Sequence, residues 1–258
     1  MNSESFVRFS WQSGVYWGTQ EGSQVRRWSG PPYSGGQPTQ RLHPAADVKF
    51  LVPVAPSKIV AVGLNYAPHV QESASATAIP DEPVIFLKPP TALLAPGDSI
   101  VLPRGVDRVD YEGELGVVIG TGGRSIPEDN ALEHVWGWTI INDVTARNLQ
   151  KVDRQWTRAK GFDSFCPVGP WVKTGVDVSQ ATLTTRLNGE IRQQSSVDQM
   201  IFPIAKLIAF ISRVMTLCAG DLISTGTPAG VGPLAVGDRI EIEIANIGTL
   251  ANTVVEET

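Results

Sequence analysis

The segment Asp110-Tyr111-Glu112-Gly113-Glu114-Leu115-Gly116-Val117-Val118-Ile119 sets two carboxylates two residues apart in a run that otherwise reads as a β-strand. A strand repeats every two residues, so Glu112 and Glu114 project from one face. Like charges on a shared face repel, more so when buried, and the arrangement calls for water or a cation between them. Asp143 follows another strand-like run, residues 136–142, and can supply a third oxygen. Three carboxylates with open positions suit a hard divalent ion, Mg²⁺ or Mn²⁺ first and Ca²⁺ next. The spacing also has an ordinary explanation. Glu241 and Glu243 repeat it where isoleucines alternate cleanly with charges, which reads as a half-exposed strand without a site. Around Glu112 the carboxylate face runs on into Gly116 and Val118, which do not look solvated.

Other residues could act beside such a centre. His69 and Glu72 lie three apart after Pro68, on one face of a short helix, and a carboxylate beside an imidazole suits a general base acting on water. The alternative is a solvated surface pair. The small residues 73–78 that follow suggest a segment able to close as a lid. Lys160 is a cation able to stabilise an enolate or carboxylate, or else a loop lysine paired with Asp163 or Asp153. Arg147 and Gln150, four and seven residues after Asp143, share a helical face with it and can bind a substrate carboxylate. The Gly-rich stretch 220–232 lacks the ending of a Walker loop and the spacing of a dinucleotide fingerprint. Its Thr227 can present a hydroxyl to an anionic substrate, or the stretch is a tight turn.

The elements that must hold these residues are mostly strands. Short apolar runs up to residue 28 read as a small β unit, and 29–38 as loop. Runs at 59–62, 84–87 and 99–102 continue the pattern, and 182–187 before Asn188-Gly189 signals a hairpin. One helix is expected near 203–214, with Pro203 in its first turn and Ile204, Leu207, Ile208 and Ile211 on one face. The fold class is therefore mainly β with a few helices (α+β), not alternating βαβ. The 258 residues, 42% hydrophobic and 18% charged, can bury a sizeable core. A net charge of −5 without runs of one sign argues against nucleic acid and against a polybasic membrane anchor. No signal peptide or membrane span is expected. Cys166 and Cys218 read as reduced core thiols, fitting a cytoplasmic protein.

Taken in order, Gly63-Leu64-Asn65-Tyr66 with His69 and Glu72, Phe86-Leu87-Lys88-Pro89-Pro90, Asp110-Tyr111-Glu112-Gly113-Glu114-Leu115, Asn142 to Arg147, Lys160-Gly161-Phe162-Asp163 and 220–228 resemble the fumarylacetoacetate hydrolase family. The resemblance covers about residues 55–255. It implies a mixed β-sandwich roll over 55–258, preceded by a small N-terminal β domain over 1–54, and a homodimer. It implies Mg²⁺ or Mn²⁺ on Glu112, Glu114 and Asp143, and His69 with Glu72 as a catalytic pair on a lid. Lys160 would act on the oxyanion, and Arg147, Gln150 and Thr227 would contact a small-molecule 2-oxo acid substrate. The leading expectation is metal-dependent hydrolysis of a C–C bond in an acylpyruvate-like 2-oxo acid. The alternatives are decarboxylation or keto–enol isomerisation of a 2-oxo diacid from aromatic-acid breakdown, and a non-catalytic metal- or ligand-binding module.

Overall fold

The structure is a computed structural model and describes residues 3–72 and 78–258. Its fold is mainly β with few helices, as the sequence pattern requires. A 12-stranded sheet runs in spatial order Pro38–Pro44, Gln24–Trp28, Gly14–Glu21, Glu4–Trp11, Cys166–Thr174, Val135–Asn142, Gly113–Ile119, Leu222–Ser224, Ile59–Gly63 and Val84–Lys88, with Lys49–Leu51 and Leu93–Leu94 paired alongside. A five-stranded sheet contains Glu190–Ser196, Thr182–Leu187, Arg239–Ile244, Gly248–Glu256 and Ser99–Leu102. Strand Glu4–Trp11 pairs directly with Cys166–Thr174, and Phe6 shares a core cluster with Val54, Ile59 and Val168.

Strand Gly113–Ile119 is buried along its whole length because both its faces are covered. Leu115 meets Leu183, Ile242 and Leu250 of the five-stranded sheet. Val117 and Ile119 meet Leu207, Ile208 and Ile211 of helix Ile204–Val214, and burying each of these helix side chains contributes about 1.5–3 kcal/mol. Val118 points the other way, toward Phe6, Val54 and Ile141. The unsolvated look of Gly116 has a direct cause: a Cβ there would lie 2.7 Å from Thr139 Cγ2. By contrast, Arg239–Ile244 buries Ile240, Ile242 and Ile244 and leaves Glu241 and Glu243 outward, as its alternation predicts.

Several local expectations are corrected. The run from Asp110 to Ile119 is not one strand: Val109–Tyr111 belongs to a three-stranded sheet with Thr145–Ala146 and Gly232–Pro233, and Glu112 is the break. Asp143 occupies the matching break in the neighbouring chain segment, between Val135–Asn142 and Thr145–Ala146. The two segments leave the large sheet together, bridged by Asp143 N–H donating to Glu112 O (2.9 Å) and Glu112 N–H donating to Asn142 Oδ1 (2.9 Å). Asp143 therefore shares no helical face with Arg147 and Gln150; the helix starts at Arg147. Pro203 is the extended residue before its helix, not part of the first turn. Cys166 is buried but Cys218 is exposed, so only one thiol belongs to the core. The proposed lid stretch falls mostly on residues 73–77, outside the described residues. The Asn188-Gly189 hairpin forms as expected, with φ of 53° and 85° at the turn.

Candidate active site

The corner where two strands change sheets gathers the acidic residues. Glu112, Glu114 and Asp143 each bring an oxygen within 4.8 Å of the others, and all three are buried. Glu114 is held by the next strand: its Oε2 accepts from Ser224 Oγ at 2.5 Å and from Gly226 N–H at 2.8 Å. Burial, with Asp143 and Glu112 close by, pushes its carboxyl well above the usual value. Burial alone would do the same to Glu112, but Lys160, Arg147 and His69 outweigh it and hold Glu112 far below the usual range.

Cations close around the acids. Lys160, fully buried on the short helix Thr157–Lys160, reaches Glu112 Oε2 at 2.8 Å and Asp143 Oδ2 at 2.5 Å. Its own burial favours losing the proton, yet Asp143 and Glu112 raise its pKa overall. It pairs with neither Asp163 nor Asp153; the latter is bound to Arg158. Arg147 Nη2 lies 2.6 Å from Glu112 Oε1, its Nε donates to Asp110 Oδ2 (2.8 Å), and its Nη1 donates to Gln150 Oε1 (2.9 Å). Arg108 clamps Asp110 from the other side at 2.7 and 3.0 Å. Arg147 thus divides its guanidinium between Asp110, Gln150 and Glu112.

His69 is buried, not a solvated surface residue, and its Nδ1 lies 2.9 Å from Glu72 Oε1 on helix Ala67–Glu72. The Glu72 carboxylate also accepts Gly230 N–H at 3.1 Å. The root of this helix is set by Asn65, fully buried, which donates to Thr225 O (2.7 Å) and Phe202 O (3.1 Å) and accepts Phe202 N–H (2.8 Å). Between this helix and the acids is a cavity of about 20 Å³ bordered by His69, Glu112, Lys160, Arg147 and Gln150, with Gly63, Leu64 and Trp156 as its wall. A groove of about 410 Å³ between Trp138, Met200 and Ile204 contains none of these residues.

Of the sequence-derived residues, His69, Glu112, Arg147, Gln150 and Lys160 border the cavity; Glu72 pairs with His69 beside it, and Glu114 and Asp143 cluster with Glu112 outside its lining. Thr227 does not border the cavity: its hydroxyl donates to Gly113 O (2.9 Å) and accepts from Gln193 Nε2 (2.8 Å), so it has no proton left for a substrate anion. Sequence reasoning passed over Lys88, whose buried ammonium sits 2.5 Å from Asp143 Oδ1, and Ser224 on Glu114. A lysine closing the apolar run Val84-Ile85-Phe86-Leu87 was the available signal for the first.

A divalent cation fits this donor set. All three candidate ligands are oxygens, as hard cations require, and the raised Glu114 reports a place where negative charge lacks compensation. The fold and site define a β-rich enzyme scaffold with a buried acidic centre beside a histidine–glutamate pair. The chain belongs to the fumarylacetoacetate hydrolase family: the family described as "Fumarylacetoacetate (FAA) hydrolase C-terminal" matches residues 58–255, and "Rv2993c-like, N-terminal" matches residues 5–53. It is 48% identical over 222 residues to Protein Rv2993c of Mycobacterium tuberculosis, covering 85% of this chain and 83% of that one. It is 42% identical over 226 residues to oxaloacetate tautomerase YisK of Bacillus subtilis, covering 83% and 75% respectively. The crystal structure of 5-carboxymethyl-2-hydroxymuconate delta-isomerase from Mycobacterium smegmatis superposes with a TM-score of 0.91 at 43% identity, over 98% of this chain and all of that one. No helix among the described residues is long and apolar enough to cross a membrane.

Proposed function

We propose that this enzyme moves a proton within a 2-oxo diacid, by keto–enol tautomerisation or the related double-bond shift. The charge balance of the buried centre carries this reading. Glu112, Glu114, Asp143 and Asp110 are buried against Lys88, Lys160 and Arg147, and the exposed Arg108 at the rim completes a set of four acids against four bases. A divalent cation on Glu112, Glu114 and Asp143 leaves two positive charges, and uncompensated buried charge is costly. A dianionic substrate neutralises them. The relatives named as an oxaloacetate tautomerase and a hydroxymuconate isomerase support proton relocation over hydrolysis.

The side chains divide the work. In the neutral tautomer whose Nδ1 hydrogen faces Glu72, His69 presents the Nε2 lone pair and accepts a proton from the carbon next to the carbonyl. The electron pair released moves into the carbonyl, whose oxygen becomes an enolate. Lys160, itself buried at the edge of the cavity, donates to that oxygen. Protonation at oxygen gives the enol, protonation at a different carbon gives the shifted isomer, and no atom is gained or lost. Gln150 and Arg147 border the same cavity and orient a substrate carboxylate. When bound, Mg²⁺ or Mn²⁺ supplies a Lewis acid that withdraws electron density from the substrate carbonyl.

C–C hydrolysis is the second reading, favoured by one observation: the space beside His69, about 20 Å³, is the size of a single water site. The test is hydrogen–deuterium exchange at C3 of oxaloacetate and longer 2-oxo diacids in D₂O, followed by NMR with Mg²⁺, Mn²⁺ or EDTA. Metal-dependent acceleration above the metal-only rate is expected. No acceleration, with ¹⁸O from water entering cleaved acylpyruvate instead, overturns the proposal in favour of hydrolysis; CO₂ release alone overturns it in favour of decarboxylation.

A further inference from the structure

We propose that Lys88 is the fixed counter-cation of the carboxylate centre: a positioning residue that occupies one oxygen of Asp143, so that this acid offers an incoming cation a single oxygen. This rests on the reading of Glu112, Glu114 and Asp143 as a cation centre. Lys88 is the last residue of strand Val84–Lys88, paired with Ile59, and is 1% exposed. Lysines at strand ends ordinarily run their stems along the surface and leave the ammonium in water. Here the ammonium points inward, 2.5 Å from Asp143 Oδ1 and 3.3 Å from Val144 O.

The two buried lysines on Asp143 are not equivalent. Lys160 takes Oδ2, bridges to Glu112 Oε2 and borders the cavity. Lys88 takes Oδ1, touches neither Glu112 nor Glu114 within ion-pair distance among the described residues, and does not border the cavity. Lys160 is thus the one of the two that would yield its place on Asp143 to a cation held by Glu112, Glu114 and Asp143, and its ammonium would then serve a substrate oxygen in the cavity. Lys88 stays behind the acid. It keeps Asp143 aimed when the front is empty, and it limits how strongly the site holds a cation, because its own charge repels one a few ångströms away. The device suits a centre that must bind a cation without closing every coordination position around it.

The test compares wild type, Lys88→Met and Lys88→Arg by Mn²⁺ titration calorimetry and by thermal unfolding in EDTA and in saturating Mn²⁺. In Lys88→Met, Asp143 loses its permanent partner and gains a free oxygen. Its Tm in EDTA should fall and Mn²⁺ should restore most of the loss, so the metal-induced rise exceeds that of wild type. Its Mn²⁺ Kd should tighten roughly tenfold or more, as expected on removing a like charge at this range. Lys88→Arg, which keeps the charge, should respond to Mn²⁺ as wild type does. Lys88→Met protein that folds only with Mn²⁺ present supports the proposal. Equal Tm losses in EDTA and Mn²⁺ with unchanged Kd, insolubility that Mn²⁺ does not relieve, or an enlarged metal response in Lys88→Arg overturns it. A wild type that binds no Mn²⁺ instead removes the cation centre itself, whatever the variants do.

Discussion

Replacing Glu114 by Gln should separate the stability of this centre from its chemistry. The amide keeps the shape, and its oxygen can still accept the bonds from Ser224 and Gly226. What it removes is a negative charge beside Asp143 and Glu112. Glu114 sits well above the ordinary value of 4.5 in the folded protein because burial and these two neighbours oppose its ionisation. A folded pKa raised above the unfolded one means stability that is fully present below the unfolded value and is lost as pH rises toward the folded one. The loss amounts to about 1.4 kcal/mol for every unit between the two. In EDTA, Glu114→Gln should match wild type near pH 4.5 and become the more stable protein as pH rises toward 8. With Mn²⁺ the order should reverse, because wild type gains the cation's binding energy and the variant lacks a ligand. Urea unfolding at four pH values, with and without Mn²⁺, measures all of this. A stability gap that does not change with pH, or equal stabilisation of both proteins by Mn²⁺, refutes the reasoning.

Other outcomes are equally specific. His69→Ala should cut C3 exchange about 10²–10⁴-fold while leaving Mn²⁺ binding in place, since on the proposed mechanism the imidazole acts on substrate and is not one of the three cation ligands; calorimetry beside the NMR assay checks the split. Asp110→Asn weakens the bonds from Arg147 and Arg108 and should destabilise the fold by about 1.5–3 kcal/mol, read by urea unfolding, because Arg147 still has Glu112 and Arg108 is exposed. Burial pushes the Cys166 thiol up to about 12, whereas Cys218 is exposed. A disulfide reagent at pH 8 should therefore modify one thiol in the native protein and two after denaturation.

Much of the framework was legible from local pattern. Alternation placed Ile240, Ile242 and Ile244 inward, the 3.6-residue period placed Leu207, Ile208 and Ile211 on the buried helix face, and Asn188-Gly189 marked its turn. Each of these depends on residues within a few positions of one another. The same holds for the His69–Glu72 pair, three residues apart on one helical turn. The paired glutamates were visible too, although the strand reading that singled them out was too simple, since Glu112 breaks the strand between two sheets.

What the sequence alone determined, then, is the β-rich class, the inventory of acids and bases, and their order along the chain. Tertiary structure decided their partners. Lys88 and Asp143 are 55 residues apart, and Ser224 and Glu114 are 110 apart, so no periodicity connects them. It also decided that Thr227 is spent on Gly113 and Gln193, and that two glutamates two residues apart are driven in opposite directions, Glu112 toward the anion and Glu114 toward the acid. The physical reason is the same throughout. Secondary structure follows from how a residue's own neighbours repeat, whereas the charge state and aim of a buried side chain follow from whatever the fold brings within a few ångströms of it.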